Sequence, residues 1–167
     1  MELGRISVDE YRDSASSGVV VVLDNIRSAH NVGSAFRTSD AFKVDKVFLC
    51  GICAVPPCAD IHKTALGAEE SVCWEHVDDT LSVIRRLKDE GYTVVSVEQT
   101  EHSVMLDSFV RESGKKYALV FGNEVNGVDQ LVVDESDFSL EIPQWGTKHS
   151  LNVSVSVGVV LWSFRPE

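Results

Sequence analysis

Val19-Val20-Val21-Val22-Leu23 constrains this chain more than any other stretch, because five consecutive apolar residues leave no side of the segment fit to face water. A strand of this kind is stable only with both faces covered, as in the inner strands of a parallel sheet with helices above and below. Lys46 to Cys50, Tyr92 to Val97, Lys116 to Phe121 and Phe138 to Ile142 read as further strands. Between the second and third lies a helix over about Asp78 to Glu90. Asp78 caps it, Leu81, Ile84 and Leu87 line one face, and Gly91 can close it in the left-handed conformation. Ser7 with Glu10 makes a capping box for an opening helix over about Val8 to Ser16. A helix capped by Asn31 or Ser34 follows the first strand and runs through Phe42, while Gly51 to Asp60, with Pro56-Pro57, reads as a loop. The rhythm implies an α/β fold, a mostly parallel sheet flanked by helices.

Nothing in 167 residues divides the chain, so residues 1–167 read as a single domain. Folding at this size buries on the order of 70% of the unfolded surface, enough for a core without disulfide or metal staples. The net charge of -11 argues against a surface that coats nucleic acid indiscriminately or adheres to an anionic membrane. Any RNA contact therefore has to rest on a local basic patch. The apolar runs fall far short of the roughly 18 residues of a membrane span, and Met1-Glu2-Leu3-Gly4-Arg5 shows no signal peptide, so the expected location is cytoplasmic. The 4 cysteines are then reduced thiols. A rival reading takes Cys50-Gly51-Ile52-Cys53 as a redox or zinc motif with Cys58, Cys73 or His62 as partners. It has one close pair and no second, and no metal is expected.

Three segments carry polar groups where chemistry could sit. The first, Leu23 to Thr38, runs on from the opening strand, and ligands of βα units bind beyond the carboxyl ends of strands. Within it Asn31 and Arg37 lie close to two helical turns apart. An arginine there offers a planar fork suited to phosphate and holds its proton firmly. Taken alone, Asn31 could equally be a cap and Arg37 a solvated helix residue. The second segment, Leu119-Val120-Phe121-Gly122-Asn123-Glu124-Val125-Asn126-Gly127-Val128, combines a close backbone approach with an acceptor, although Asn126-Gly127 alone is a common turn. The third, Ile142 to Val155, places Ser150 and Asn152 at the start of an apolar element where backbone donors are unpaired. From Val153 to Val159 this element alternates like a strand.

Together, Asn-x-Gly-x-x-x-Arg, Phe-Gly-x-Glu-x-x-Gly and Ile-Pro-x-x-Gly-x-x-x-Ser-Leu-Asn-Val-Ser-Val resemble the SpoU/TrmH family of RNA ribose 2′-O-methyltransferases, in order and over Asn31 to Val155. The resemblance implies a C-terminal trefoil knot, S-adenosylmethionine held by the knotted loops, and a homodimer. It also makes the final segment a helix, overruling the alternation. It implies that Arg37 is the catalytic arginine, with Asn31, Glu124, Ser150 and Asn152 completing the catalytic pocket. Gly122, Ile142, Gly146 and Leu151 would line the methyl-donor site, with Glu98 and Gln99 as its remaining wall. Gln144, also assigned to that site, departs from the family, which usually has Met there, and this touches the adenine side.

The activity implied is methyl transfer from S-adenosylmethionine to a ribose 2′-hydroxyl of tRNA or rRNA, without the basic extensions that some relatives use. The alternative is a non-catalytic RNA-binding or assembly protein on the same fold. Arg5, Arg12, Arg27, His30, Arg37, Lys43, Lys46, Lys148 and His149 fall near the first and third motifs, which suggests a basic mouth on an acidic body.

Overall fold

The computed structural model describes residues 4–166. Met1, Glu2 and Leu3, where the segment read for a signal peptide begins, lie outside them. Among the described residues no helix is long and apolar enough to cross a membrane.

The valine run forms β1 (Val19–Asp24), all of it buried. Beside it lie β2 (Lys46–Cys50) and β3 (Trp74–Val77) on one side, and β6 (Tyr117–Phe121), β4 (Thr93–Val97), β7 (Phe138–Glu141) and the short β5 (Val104–Met105) on the other. All neighbours in this seven-stranded order, β3-β2-β1-β6-β4-β7-β5, run parallel.

The lack of a polar face on β1 is explained by where alternate side chains go. Val19, Val21 and Leu23 enter one core with Leu49, Leu119, Phe121 and Leu140, covered by α2 (Ala29–Ala41), α3 (Ala59–Ala65) and α7 (Val153–Ser163). Val20 and Val22 enter the opposite core with Phe48, Ala118 and Val120, covered by α5 (Thr80–Asp89) and α6 (Gln130–Glu135). Each fully buried Val, Leu or Phe contributes about 1.5–3 kcal/mol over an exposed position, so the two-sided strand carries a large share of the fold's stability.

Several boundaries differ from the sequence reading. The opening helix, α1, has its capping box at Ser7 and Glu10 but spans only Val8–Asp13, since Ser14 is already extended. Ser28, not Asn31 or Ser34, caps α2, its hydroxyl accepting from the Asn31 N–H at 3.2 Å. Asp79 rather than Asp78 caps α5, because its carboxylate is the one that reaches the N–H groups of Leu81 and Ser82. Thr80, Val83, Ile84 and Leu87 form the buried face of that helix, and Leu81 lies at its margin. Gly91 has the expected positive φ, +86°. The loop read over Gly51 to Asp60 gives way to α3 at Ala59. The sequence reading had no place for α4 (Ala68–Ser71), β3, β5 or α6, all six residues or shorter.

The last segment is helical despite its alternation. Val157, Val160, Leu161 and Phe164 are the buried residues, a helical spacing set by packing on α2, and tertiary burial overrides the β preference of valine. Arg111 fastens the end of this helix, donating to the carbonyls of Phe164, Arg165 and Ser17. Phe164 stacks on Phe109 with ring centroids 4.9 Å apart.

Contact between α2 and α3 depends on Gly33. A Cβ there would stand 2.1 Å from Thr64 Oγ1 and 2.3 Å from the Ile61 carbonyl. Gly33→Ala is expected to lower stability by about 1–3 kcal/mol through forced separation of the two helices, read as a drop in the thermal midpoint with secondary structure retained.

Candidate functional site

Loops leaving β4, β6 and β7 at their carboxyl ends surround a cavity of about 680 Å³, the position expected for ligands of an open parallel sheet. Its wall is made by 97–100, 121–128, Leu140, Ile142, Gln144, 149–153 and Ser156, with Gln130 and Val133 from α6. Loop backbone packed this tightly needs its polar groups satisfied without a ladder, and a few side chains do it. Glu98 accepts from the Val128 N–H at 3.0 Å and the Gln99 N–H at 2.9 Å, joining the loop after β4 to the loop after β6. Asn123 and Gly127 exchange backbone hydrogen bonds at 2.9 Å each, closing that second loop. The Asn123 side chain accepts from the Val125 and Asn126 N–H groups and donates to the Asn25 carbonyl.

Glycine is required at two places here. A Cβ on Gly122 would lie 2.1 Å from the backbone of Gly127 and Val128, and one on Gly127, at φ +69°, would lie 2.2 Å from Glu98 Oε2. The motif glycines therefore bring two backbone segments into contact at the cavity wall. Beneath the site the buried Asp24 carboxylate accepts from Thr80 Oγ1 at 2.6 Å and from the Asp129 N–H at 3.0 Å. It thereby ties the end of β1 to the starts of α5 and α6.

The motifs meet through Glu124. Its carboxylate accepts from the Arg27 and Ser28 N–H groups, each at 3.1 Å, and from Asn31 Nδ2 at 3.3 Å. Asn31 Oδ1 in turn accepts from Asn152 Nδ2 at 3.3 Å, while Asn152 Oδ1 caps α7 by accepting from the Ser154 N–H at 2.9 Å. A carboxylate is well matched to the backbone donors that lead into the positive end of α2. Burial alone would raise its pKa; hydrogen bonds from the N–H groups of Glu124, Arg27 and Ser28 and from Asn31 outweigh that and hold it below the usual 4.5.

Of the residues singled out in the sequence, Glu98, Gln99, Gly122, Glu124, Ile142, Gln144, Ser150, Leu151 and Asn152 all line the cavity. Asn31 joins them by hydrogen bonding. Gly146 does not line it and has open space around its Cα. Arg37 is exposed and also lies outside the cavity wall of its own chain. Its neighbour Thr38 touches α7, where a Cβ on Gly158 would stand 3.8 Å from Thr38 Cγ2. Asn123, Asn126, Thr100, His149 and Ser156 line the cavity without having been picked out as site residues. Asn123 and Asn126 had a cue in their place inside the second motif and His149 in its place inside the third, whereas Thr100 and Ser156 had none.

The basic mouth is narrower than composition suggested. Among the described residues Lys46, Lys63, Arg85, Arg86, Lys88 and Lys115 lie within ion-pair distance of carboxylates. Arg12, Arg111 and Lys116 donate to carbonyls, and Lys43 and Arg165 lie over aromatic rings. That leaves Arg5 and three cations of the first and third motif segments: Arg27, Arg37 and Lys148.

Among the described residues no group of three or more His, Cys, Asp or Glu could hold a metal ion. Cys50 and Cys53 are buried, and burial pushes their thiols up to about 12 and about 11. Cys53 instead accepts from the Ile26 N–H and donates to the Leu23 carbonyl.

Two outcomes follow from these environments. At neutral pH a thiol-reactive disulfide reagent should label the exposed Cys73 rapidly and reach Cys50 and Cys53 only on unfolding. Because the pKa of Glu124 is depressed in the fold, its contribution to stability is complete above 4.5 and fades as pH falls through the lower folded value. Glu124→Gln should therefore melt below the parent protein at neutral pH, with the gap in melting temperature closing on acidification.

A sequence model of the SpoU rRNA Methylase family matches residues 18–162. The 23S rRNA (guanosine-2'-O-)-methyltransferase RlmB of Neisseria meningitidis is 33% identical over 157 residues, 94% of this chain and 62% of its own length. The chain spans about three fifths of the length of the curated relatives it matches. Among solved structures, a TrmH/SpoU tRNA modifying enzyme from A. aeolicus superposes with a TM-score of 0.82 at 27% identity, covering 94% of this chain and 78% of the other. An AdoMet-bound rRNA methyltransferase from Sinorhizobium meliloti gives 0.82 at 26% identity, covering 92% and 59%. With its parallel sheet, its glycine-tightened loops and a matched region from the first strand to the final helix, this chain belongs to the SpoU methylase family.

Proposed function

We propose that this protein transfers a methyl group from S-adenosylmethionine to a ribose 2′-hydroxyl of tRNA or rRNA. The observation that carries the reading is the hydrogen-bonded series Glu124–Asn31–Asn152, which joins all three motifs at the rim of one cavity.

The wall suits the methyl donor. It is rich in amide, hydroxyl and backbone groups, includes the carboxylates of Glu98 and Glu124, and has no Lys or Arg. That donor set accommodates a small molecule bearing a sulfonium and an ammonium charge, and the glycine pair at 122 and 127 admits backbone contact along its length. Gly122, Ile142 and Leu151 would hold it, with Glu98 and Gln99 closing one side and Gln144 at the adenine. When bound, it supplies a methyl group already activated for displacement. The protein has to bring the 2′-oxygen into line, a contribution of roughly 7–11 kcal/mol when reacting atoms are well placed. Asn152 and Ser150 orient the nucleotide, and Arg37 grips the neighbouring phosphate and steadies negative charge growing on the 2′-oxygen. The 2′-hydroxyl proton passes to a neighbouring acceptor or to water, since the Arg37 guanidinium already carries its own.

A homodimer belongs to the same proposal. Val155, Val159 and Trp162 on α7 are 49%, 38% and 60% exposed, an apolar face suited to a second copy. Arg37 lies on α2, which packs against α7, so the helix that carries it adjoins this face. The knotted tail and a cytoplasmic location are likewise proposed, from the family resemblance.

Replacing Arg37 with Ala should abolish methylation of total RNA supplied with labelled methyl donor, while calorimetry finds S-adenosylmethionine affinity nearly unchanged. Failure of the unaltered protein to bind S-adenosylmethionine at all would favour the non-catalytic RNA-binding alternative.

A further inference from the structure

Trp145 is 89% exposed, the most exposed large apolar side chain among the described residues. It directly follows Gln144, which lines the cavity, and it shares a loop with Lys148, Ser150 and Asn152. Val125, on the loop opposite, is 72% exposed and also borders the cavity. An indole left in water at the edge of a ligand site is poised for an aromatic partner, since the ring keeps its whole stacking face available.

Charge identifies that partner. The chain carries a net charge of -11, and most of its cations are occupied by carboxylates, carbonyls or rings. Lys148, three residues beyond Trp145, and Arg27, whose N–H is held by Glu124 at the rim, have no carboxylate partner among the described residues. An exposed indole with free cations nearby fits a single-stranded nucleic acid, whose base stacks on the ring while its phosphates meet the cations.

We infer that Trp145 is a stacking platform for a base of the substrate RNA, an unpaired base next to the nucleotide whose ribose is methylated, with Lys148 and Arg27 taking adjacent phosphates. This rests on the proposed methyltransferase reading and deepens it. It makes the substrate segment single-stranded, a loop or bulge rather than a duplex, and it gives this chain a recognition element on the loop that also lines the methyl-donor cavity.

The test uses intrinsic fluorescence. Trp74→Phe with Trp162→Phe leaves Trp145 as the last of the 3 tryptophans, and this variant is titrated with a short single-stranded oligoribonucleotide and with the same sequence in a duplex. Quenching by the single strand, weaker with the duplex and reduced by salt, is the expected result. In the parent protein Trp145→Ala should raise KM for RNA roughly five- to a hundredfold, with kcat and S-adenosylmethionine affinity nearly unchanged and Trp145→Phe recovering most of the loss. An active enzyme whose KM is unmoved by Trp145→Ala overturns the inference. So does a Trp145 emission that is blue-shifted and indifferent to RNA, with Trp145→Ala weakening self-association, because the ring would then be a contact between copies. Absence of methyl transfer by the unaltered protein sinks only the functional reading, as quenching is measured without turnover.

Discussion

A sheet covered on both faces leaves its carboxyl rim as the place for chemistry, and at that rim the backbone has lost its ladder. Every other feature of the site answers this constraint. Glu98, Asn123, Asp24 and Glu124 supply acceptors to the N–H groups of the loops and helix starts around the cavity. Buried or crowded backbone donors without partners would each cost about 1–3 kcal/mol. Side chains that read as active-site polarity in a sequence are thus, in part, the scaffold of the loops.

Glu124 shows how the two roles combine. By accepting from the N–H groups of Arg27 and Ser28, which lead into α2, and from Asn31 in its first turn, it fixes the start of that helix against the loop after β6. Asn31 passes the constraint to Asn152, whose own side chain caps α7. The helix that carries Arg37 and the helix that carries the apolar outer face are aligned by one short polar series. Phe42 and Trp162, at the far ends of α2 and α7, meet edge-to-face with centroids 6.2 Å apart, so the two helices are held at both ends.

Much of the scaffold was legible because burial on two faces is written directly into composition, as in Val19 to Leu23. α5 was legible because its apolar spacing and its carboxylate cap agree with each other. Shorter pieces were not: α4, β3, β5 and α6 have too few residues to establish a period, and neighbours decide their conformation. For α7 the local pattern pointed the wrong way, since Ser and Val alternate while the buried set is Val157, Val160, Leu161 and Phe164. Motif resemblance, not periodicity, gave the right answer there. In the site, the residue types at 31, 124 and 152 were visible, but their mutual hydrogen bonds were not, because nothing local relates them. The exposure of Arg37 and Trp145 is equally a property of the assembled surface.

The hydrogen bonds of the polar series join positions 93 and 121 residues apart in the chain. Closing such loops costs entropy that no local contact offsets beforehand, and contacts of this range make folding slow relative to helical proteins of equal size. The central pairing of β1 with β6, Val19 beside Tyr117, closes a loop of similar range. Sheet and cavity wall thus depend on the same distant closures, and the appearance of binding capacity reports completion of the fold.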